Sequence, residues 1–249
     1  MRYFIEFAYH GKNYFGYQIQ PGQITVQEVL EKALSTILRS DIKITGAGRT
    51  DTGVHAKKIF AHFDLETSVP ENLVYRLNSF LPNDIAVKNV FKVNNDMHAR
   101  FDATFRTYEY IVSLEKNPFL HDFSWQIINR SLDLEMMHNA CKILFEFDDF
   151  TSFSKLHTDT KTNNCKIYRA EWAKTGTEIK FTVSADRFLR NMVRAIVGTM
   201  IEIGKGKISP EDFRKIIEAK DRGRAGTSAP PQGLFLVDVG YDLERITLH

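Results

Sequence analysis

The apolar and polar positions of this chain fall into two successive runs of alternating strands and helices. Arg2 to Tyr9 sets apolar residues against Arg2 and Glu6 as a strand does. Thr25 followed three residues later by Glu28 opens a helix as a capping box, with Val26, Val29, Leu30, Ala33, Leu34, Ile37 and Leu38 at helical spacing. Asp41 to Thr45 and Lys58 to Leu65 read as strands on either side of a glycine-rich loop, Gly46 to Ala56. Pro70 to Phe80 reads as a second helix and Ile85 to Val93 as a further strand. The order in this part is β-α-β-β-α-β.

From Phe105 the pattern restarts. Strands are predicted at Arg106 to Ser113, Lys166 to Lys174 and Glu178 to Ser184, and helices at Leu132 to Leu144, Phe188 to Ile203 and Pro210 to Ala219. A last strand follows at Leu234 to Tyr241. The simplest architecture is α+β: two ferredoxin-like, RRM-like halves with antiparallel sheets, residues 1–104 and 105–249, around a central cleft where a ligand is expected. No residue-level repeat relates the halves. The stretch Gly223 to Gly233 is expected to be an ordered connector, because strand residues follow it directly.

Composition narrows the function classes. A chain of 249 residues with 43% hydrophobic residues can bury one large core or two smaller ones. No apolar segment approaches the ~18 to 20 residues that span a bilayer. The longest, around Ala195 to Ile203, is interrupted by Gly198, Thr199 and Glu202. Cys141 and Cys165 are far apart and outside any metal-ligand spacing, so neither a zinc site nor another metal site is expected. With no secretory leader pattern at Met1 to Phe7, a reducing, cytoplasmic location is expected. The net charge of +2 neither demands nor excludes a polyanion, so any nucleic-acid footprint must be local.

The densest chemistry lies in Gly46-Ala-Gly-Arg-Thr-Asp-Thr-Gly-Val-His-Ala56. Three glycines surround one carboxylate, Asp51, with Arg49 and His55 close by, and no GK[ST] follows to make it a phosphate loop. On residue types alone a structural turn and a functional loop remain equally open. In the expected helix from Phe188, the apolar residues Leu189, Met192, Val193, Ile196 and Met200 form one stripe, and Arg187, Arg190, Asn191, Arg194 and Gly198 lie opposite. Such a polar face is ordinarily a solvated one. Tyr108 and Tyr110 alternate along a strand and point to one face, where aromatic residues are most often core.

The segment GRTDTGVHA resembles the catalytic loop of the tRNA pseudouridine synthase A family. Further family-like segments run through the whole chain in order: Phe15-Gly-Tyr-Gln-Ile-Gln20, Leu77-Asn-Ser-Phe-Leu-Pro82, His98-Ala-Arg-Phe-Asp-Ala103, Arg106-Thr-Tyr-Glu-Tyr110, Asp149-Phe-Thr-Ser-Phe153, Phe188-Leu-Arg-Asn-Met-Val-Arg194 and Ala229-Pro-Pro-Gln-Gly-Leu234. Thr52, Phe105 and Ser228 depart from the pattern, the last standing where threonine is usual.

The resemblance implies an isomerase that turns uridine into pseudouridine at positions 38 to 40 of the tRNA anticodon stem-loop, without cofactor, as a homodimer. By match, Asp51 is the nucleophile, Arg194 its ion partner and Tyr108 the residue against the target base. Arg49 enters the space the flipped base leaves. Arg190, Lys205, Lys207, Arg222 and Arg224 are candidate RNA contacts, each with a plain surface role as the alternative. Two competing readings are a catalytically silent protein that binds structured RNA, and a metal-dependent hydrolase or phosphoryl-transfer enzyme. The latter needs further carboxylates to hold a metal, and the GRTD loop contains none.

Overall fold

The computed structural model describes residues 1–128, 131–155 and 162–242. These form two compact units: Met1–Phe105 together with the last strand from Phe235, and Arg106–Leu234. The expected division after residue 104 therefore differs in that last strand.

The first unit runs β1 (Arg2–Tyr9), α1 (Val26–Leu38), β2 (Thr45–Gly46), β3 (His55–Asp64), α2 (Leu73–Phe80) and β4 (Ile85–Val93). β1 is central and antiparallel to both β3 and β4. Its Tyr3, Ile5, Phe7 and Tyr9 share one face by the two-residue period and are buried. Phe4 points to the other face, where it meets the rings of Phe60, Phe91 and Tyr241. α1 begins where Thr25 Oγ1 accepts from the Glu28 backbone N–H, and it buries Val26, Leu30, Ala33 and Leu34.

The strand expected at Asp41 to Thr45 is reduced to the two residues of β2. The amide of Ile42 bonds to Ser35 Oγ (2.9 Å) and that of Ile44 to Glu31 Oε1 (3.1 Å), so side chains of α1 occupy the donors a ladder would need.

The second unit contains β5 (Ala103–Ser113, of which all but the first three residues belong here), β6 (Trp125–Gln126), α3 (Leu134–Leu144), β7 (Ile167–Thr175), β8 (Glu178–Ala185), α4 (Met192–Gly204) and α5 (Pro210–Glu218). β8 lies between β5 and β7, antiparallel to both. α3 packs on β7, α4 and α5. The final strand, β9 (Leu234–Tyr241), pairs in parallel with the start of β3 through His55↔Phe235 and Ala56↔Leu236, which is why it belongs to the first unit. No helix among the described residues is long and apolar enough to cross a membrane.

Candidate active site

Asp51 sits half-buried at the tip of a turn in the first unit, and the residues before and after it are pinned. On one side, the Thr50 carbonyl accepts from the Tyr17 backbone N–H (3.2 Å), and Thr50 Oγ1 hydrogen-bonds Tyr9 Oη at 2.7 Å in a buried position. On the other, the Asp51 carbonyl accepts from the Val54 N–H (3.1 Å), closing a tight turn through Gly53, whose φ of 77° is left-handed. A carboxylate on a turn held at both ends pays little entropy when it meets a substrate.

Two further glycines make the loop possible. A Cβ on Gly16 would stand 2.6 Å from the Thr50 carbonyl oxygen, and one on Gly46 would enter the Tyr17 ring. Tyr9 and Tyr17 are thus structural parts of this loop, a role the sequence reading gave to neither, although Tyr17 lies in the family-like segment Phe15 to Gln20. The signal available in the sequence was the glycine at position 16, which takes a left-handed φ of 86° and lets the Thr50 carbonyl approach. Arg49 is exposed on the same loop.

His55 is structural: its Nδ1 accepts from the Gly11 backbone N–H (3.0 Å), and its ring packs against Phe235 and His10. His62 accepts from the Ala99 N–H through Nδ1 (3.1 Å). Burial, with the nearby Arg2 cation, pushes its pKa down to about 4, so it is neutral at physiological pH.

In the second unit, Tyr108 is half-buried on β5, with its ring edge-on to Phe188 (centroids 5.2 Å apart, planes at 90°). Tyr110, one turn of the pleat further, is fully buried and donates to the Pro230 carbonyl (2.7 Å). Burial raises its pKa far above the ordinary phenol value. The opposite face carries the Glu109–Lys180 ion pair (2.8 Å) and the Thr107–Ser184 hydroxyl contact.

The helix expected from Phe188 starts four residues later, at Met192. Asn191 takes a left-handed conformation (φ 67°) and ends the preceding turn, so Arg187 and Arg190 are off the helix and only Arg194 of the three lies on it. The expected polar face is also absent. α4 is buried nearly all round, because the connector from Ala225 to Pro230 runs along the side where that face was expected. A Cβ on Gly198 would stand 1.9 Å from the Thr227 carbonyl oxygen, so only glycine permits this approach.

The connector clamps Arg194. Arg194 Nε donates to the Ala229 carbonyl (2.7 Å), and the Ala229 N–H donates back to the Arg194 carbonyl (2.9 Å). Ser228 Oγ accepts from Asn191 Nδ2 (2.7 Å) and from Arg222 Nη2 (2.9 Å). Arg222 Nη1 reaches the carbonyls of Ala225 (3.4 Å) and Gly226 (3.2 Å). The departure at Ser228 thus keeps the hydroxyl that its two neighbours use.

Arg222, a candidate RNA contact in the sequence, is half-buried and braces the loop that holds Arg194. Lys205 and Lys207 both pair with Glu202, while Arg190 and Arg224 are exposed. Arg49 and Asp51 therefore share one loop of the first unit, and Tyr108, Arg190 and Arg194 belong to the second, with the Phe188 ring linking Tyr108 to the turn that precedes α4.

The family model described as tRNA pseudouridine synthase matches residues 6–102 and 140–242. Among curated proteins, the chain is similar to the tRNA pseudouridine synthase A of Parabacteroides distasonis, with 54% identity over 245 residues, 98% of this chain and 97% of that protein. It is 57% identical to that of Bacteroides thetaiotaomicron over 244 residues, 96% of this chain and 90% of the relative. With the Bacillus subtilis protein of the same name the identity is 41% over 247 residues, 97% of this chain and all of that protein.

Proposed function

The chain belongs to the tRNA pseudouridine synthase family, and we propose that it converts uridines at positions 38 to 40 of the tRNA anticodon stem-loop to pseudouridine with Asp51 as nucleophile. The enzyme is an isomerase. In the reaction the N1–C1′ bond breaks and a C5–C1′ bond forms. One proton leaves C5 and one is taken up at N1. No atom is gained or lost and nothing is oxidised, so the chemistry calls on no cofactor. A carboxylate can hold either the ribose or the ring while the detached base turns.

The observation that carries this reading is the half-buried Asp51 on a turn fixed through Thr50 and Val54, in a sequence segment that matches the family. A carboxylate covered by a nucleobase loses hydration, which favours its protonated form, and a guanidinium at its side offsets that loss. By the family match Arg194 is assigned this part, and its bond to Ala229 sets the plane of the guanidinium. Tyr108 packs on the base and Arg49 fills the gap that the flipped nucleotide leaves, offsetting part of the few kcal/mol that unstacking costs. Arg190, exposed beside α4, contacts phosphate.

The same reading places the protein in the cytoplasm as a homodimer and treats each half as ferredoxin-like. The strand orders β4-β1-β3 and β5-β8-β7 support the ferredoxin-like assignment.

The test is pseudouridine formation in unmodified tRNA, in chelator, by wild type and Asp51→Ala. Product from wild type alone, with RNA binding kept by the variant, supports the assignment. Activity retained in Asp51→Ala overturns it.

A further inference from the structure

The segment from Phe15 to Ile24 is a closed, stiff loop with an unusual surface. Its ends are joined by the Phe15 N–H to the Ile24 carbonyl (3.0 Å), and Gln20 Nε2 bonds across it to the Phe15 carbonyl (2.8 Å). The tip is a Pro21-Gly22 turn with Gly22 at φ 71°, closed by Gln23 N–H to the Gln20 carbonyl (3.3 Å). The base is tied to α1 through Val26 N–H to Gly16 O (3.3 Å) and Gln27 N–H to Tyr17 O (2.9 Å).

On this frame Phe15, Ile19 and Ile24 are 46%, 44% and 61% exposed, and Gln18 and Gln23 are exposed as well. From Asn13 to Gln27 there is no charged residue and no histidine, in a chain that is 26% charged.

The loop also touches the turn that carries Asp51. Tyr17 N–H bonds to the Thr50 carbonyl, and the space beside Gly16 Cα is filled by the backbone of Thr50, Asp51 and Thr52. The loop and the turn that carries Asp51 are therefore direct neighbours through their backbones.

A surface without a cation releases no counterions from RNA and is a poor match for phosphate. Exposed aromatic and aliphatic side chains with amides suit the faces and edges of unpaired bases. We propose that residues 15–24 form an uncharged nucleobase-contacting face next to Asp51, with Phe15 and Ile19 as its apolar contacts. This rests on the tRNA-modifying reading above and adds to it the part of the RNA that this face recognises.

Equilibrium binding of the full chain to an unmodified tRNA transcript, measured across a salt series, tests this. Asp51→Asn serves as the background, so that substrate is not consumed. Phe15→Ala and Ile19→Ser are each expected to weaken binding by about tenfold at every salt concentration, leaving the slope of log affinity against log salt unchanged. Arg190→Ala, by contrast, is expected to lower that slope by about one.

Unchanged affinity in both loop variants, with unaltered thermal unfolding, overturns the proposal. So does a loop variant that changes the salt slope, or one that shifts the sedimentation mass of the protein alone, which would make the face a contact between copies. Failure of the Asp51→Asn parent to bind tRNA is a different result and counts against the tRNA-modifying function itself.

Discussion

Gly198→Ala is the most informative single substitution for the architecture around Arg194. In an isolated helix the change favours folding, by about 1 kcal/mol. Here the new methyl group would lie 1.9 Å from the Thr227 carbonyl oxygen, whereas real Cβ atoms essentially never come closer than 3.0 Å to such a neighbour, so the connector must retreat by at least 3.0 − 1.9 = 1.1 Å. That movement overpacks the interface, at roughly 1–3 kcal/mol.

The retreat also strains the two hydrogen bonds between Arg194 and Ala229, one from the Arg194 side chain and one to its carbonyl, and the bond from Gly226 N–H to Thr199 Oγ1, each worth about 1 kcal/mol net. Set against the helix gain, the expected destabilisation is about 2–4 kcal/mol, or roughly 5–15 °C in the unfolding midpoint. Circular dichroism melts measure the stability, and single-turnover pseudouridine formation below the midpoint measures the site. Activity should fall by more than the folded fraction does, since the Ala229 clamp on Arg194 is displaced. A midpoint equal to or above wild type would refute the steric reasoning and leave only helix propensity.

Arg222→Met removes the brace of the connector and should cut the rate of product formation about tenfold at saturating tRNA while leaving tRNA affinity near wild type. Ser228→Thr should retain activity and Ser228→Ala should not, and a uniform loss of tRNA affinity in Arg222→Met would show a surface RNA contact instead. Tyr17 Oη is a buried oxygen with no hydrogen-bond partner among the described residues. Tyr17→Phe should therefore be neutral or raise stability by up to about 1–2 kcal/mol in denaturant titration, and a clear loss would show that the hydroxyl is satisfied. His62, with its folded pKa lowered to about 4 against 6.5 unfolded, binds a proton more readily once unfolded. Its contribution is complete above about pH 6.5 and is lost as the pH falls through 4, and imidazole NMR showing His62 titrating near 6.5 would contradict this.

The sequence alone determined most of the local architecture and the identity of the chemical loop. Helical spacing from Val26 to Leu38, the strand at Ile85 to Val93 and the strand at Leu234 to Tyr241 depend on short-range patterns of burial and capping, and all three are present where those patterns place them. The GRTDTGVHA segment and its companion motifs suffice to mark the family.

The tertiary structure decided what depends on partners distant in the chain. Ile42 and Ile44 lose their strand because α1 side chains take their amides. The polar face expected on α4 disappears because residues 225–230 lie against it through Gly198. Arg222 becomes a brace of the connector because its acceptors, the carbonyls of Ala225 and Gly226 and the hydroxyl of Ser228, face it only once the connector is folded. Periodicity reports which side of an element is apolar. It carries no information about which carbonyl or hydroxyl waits on the other side, and the placing of Arg194 depends on those groups.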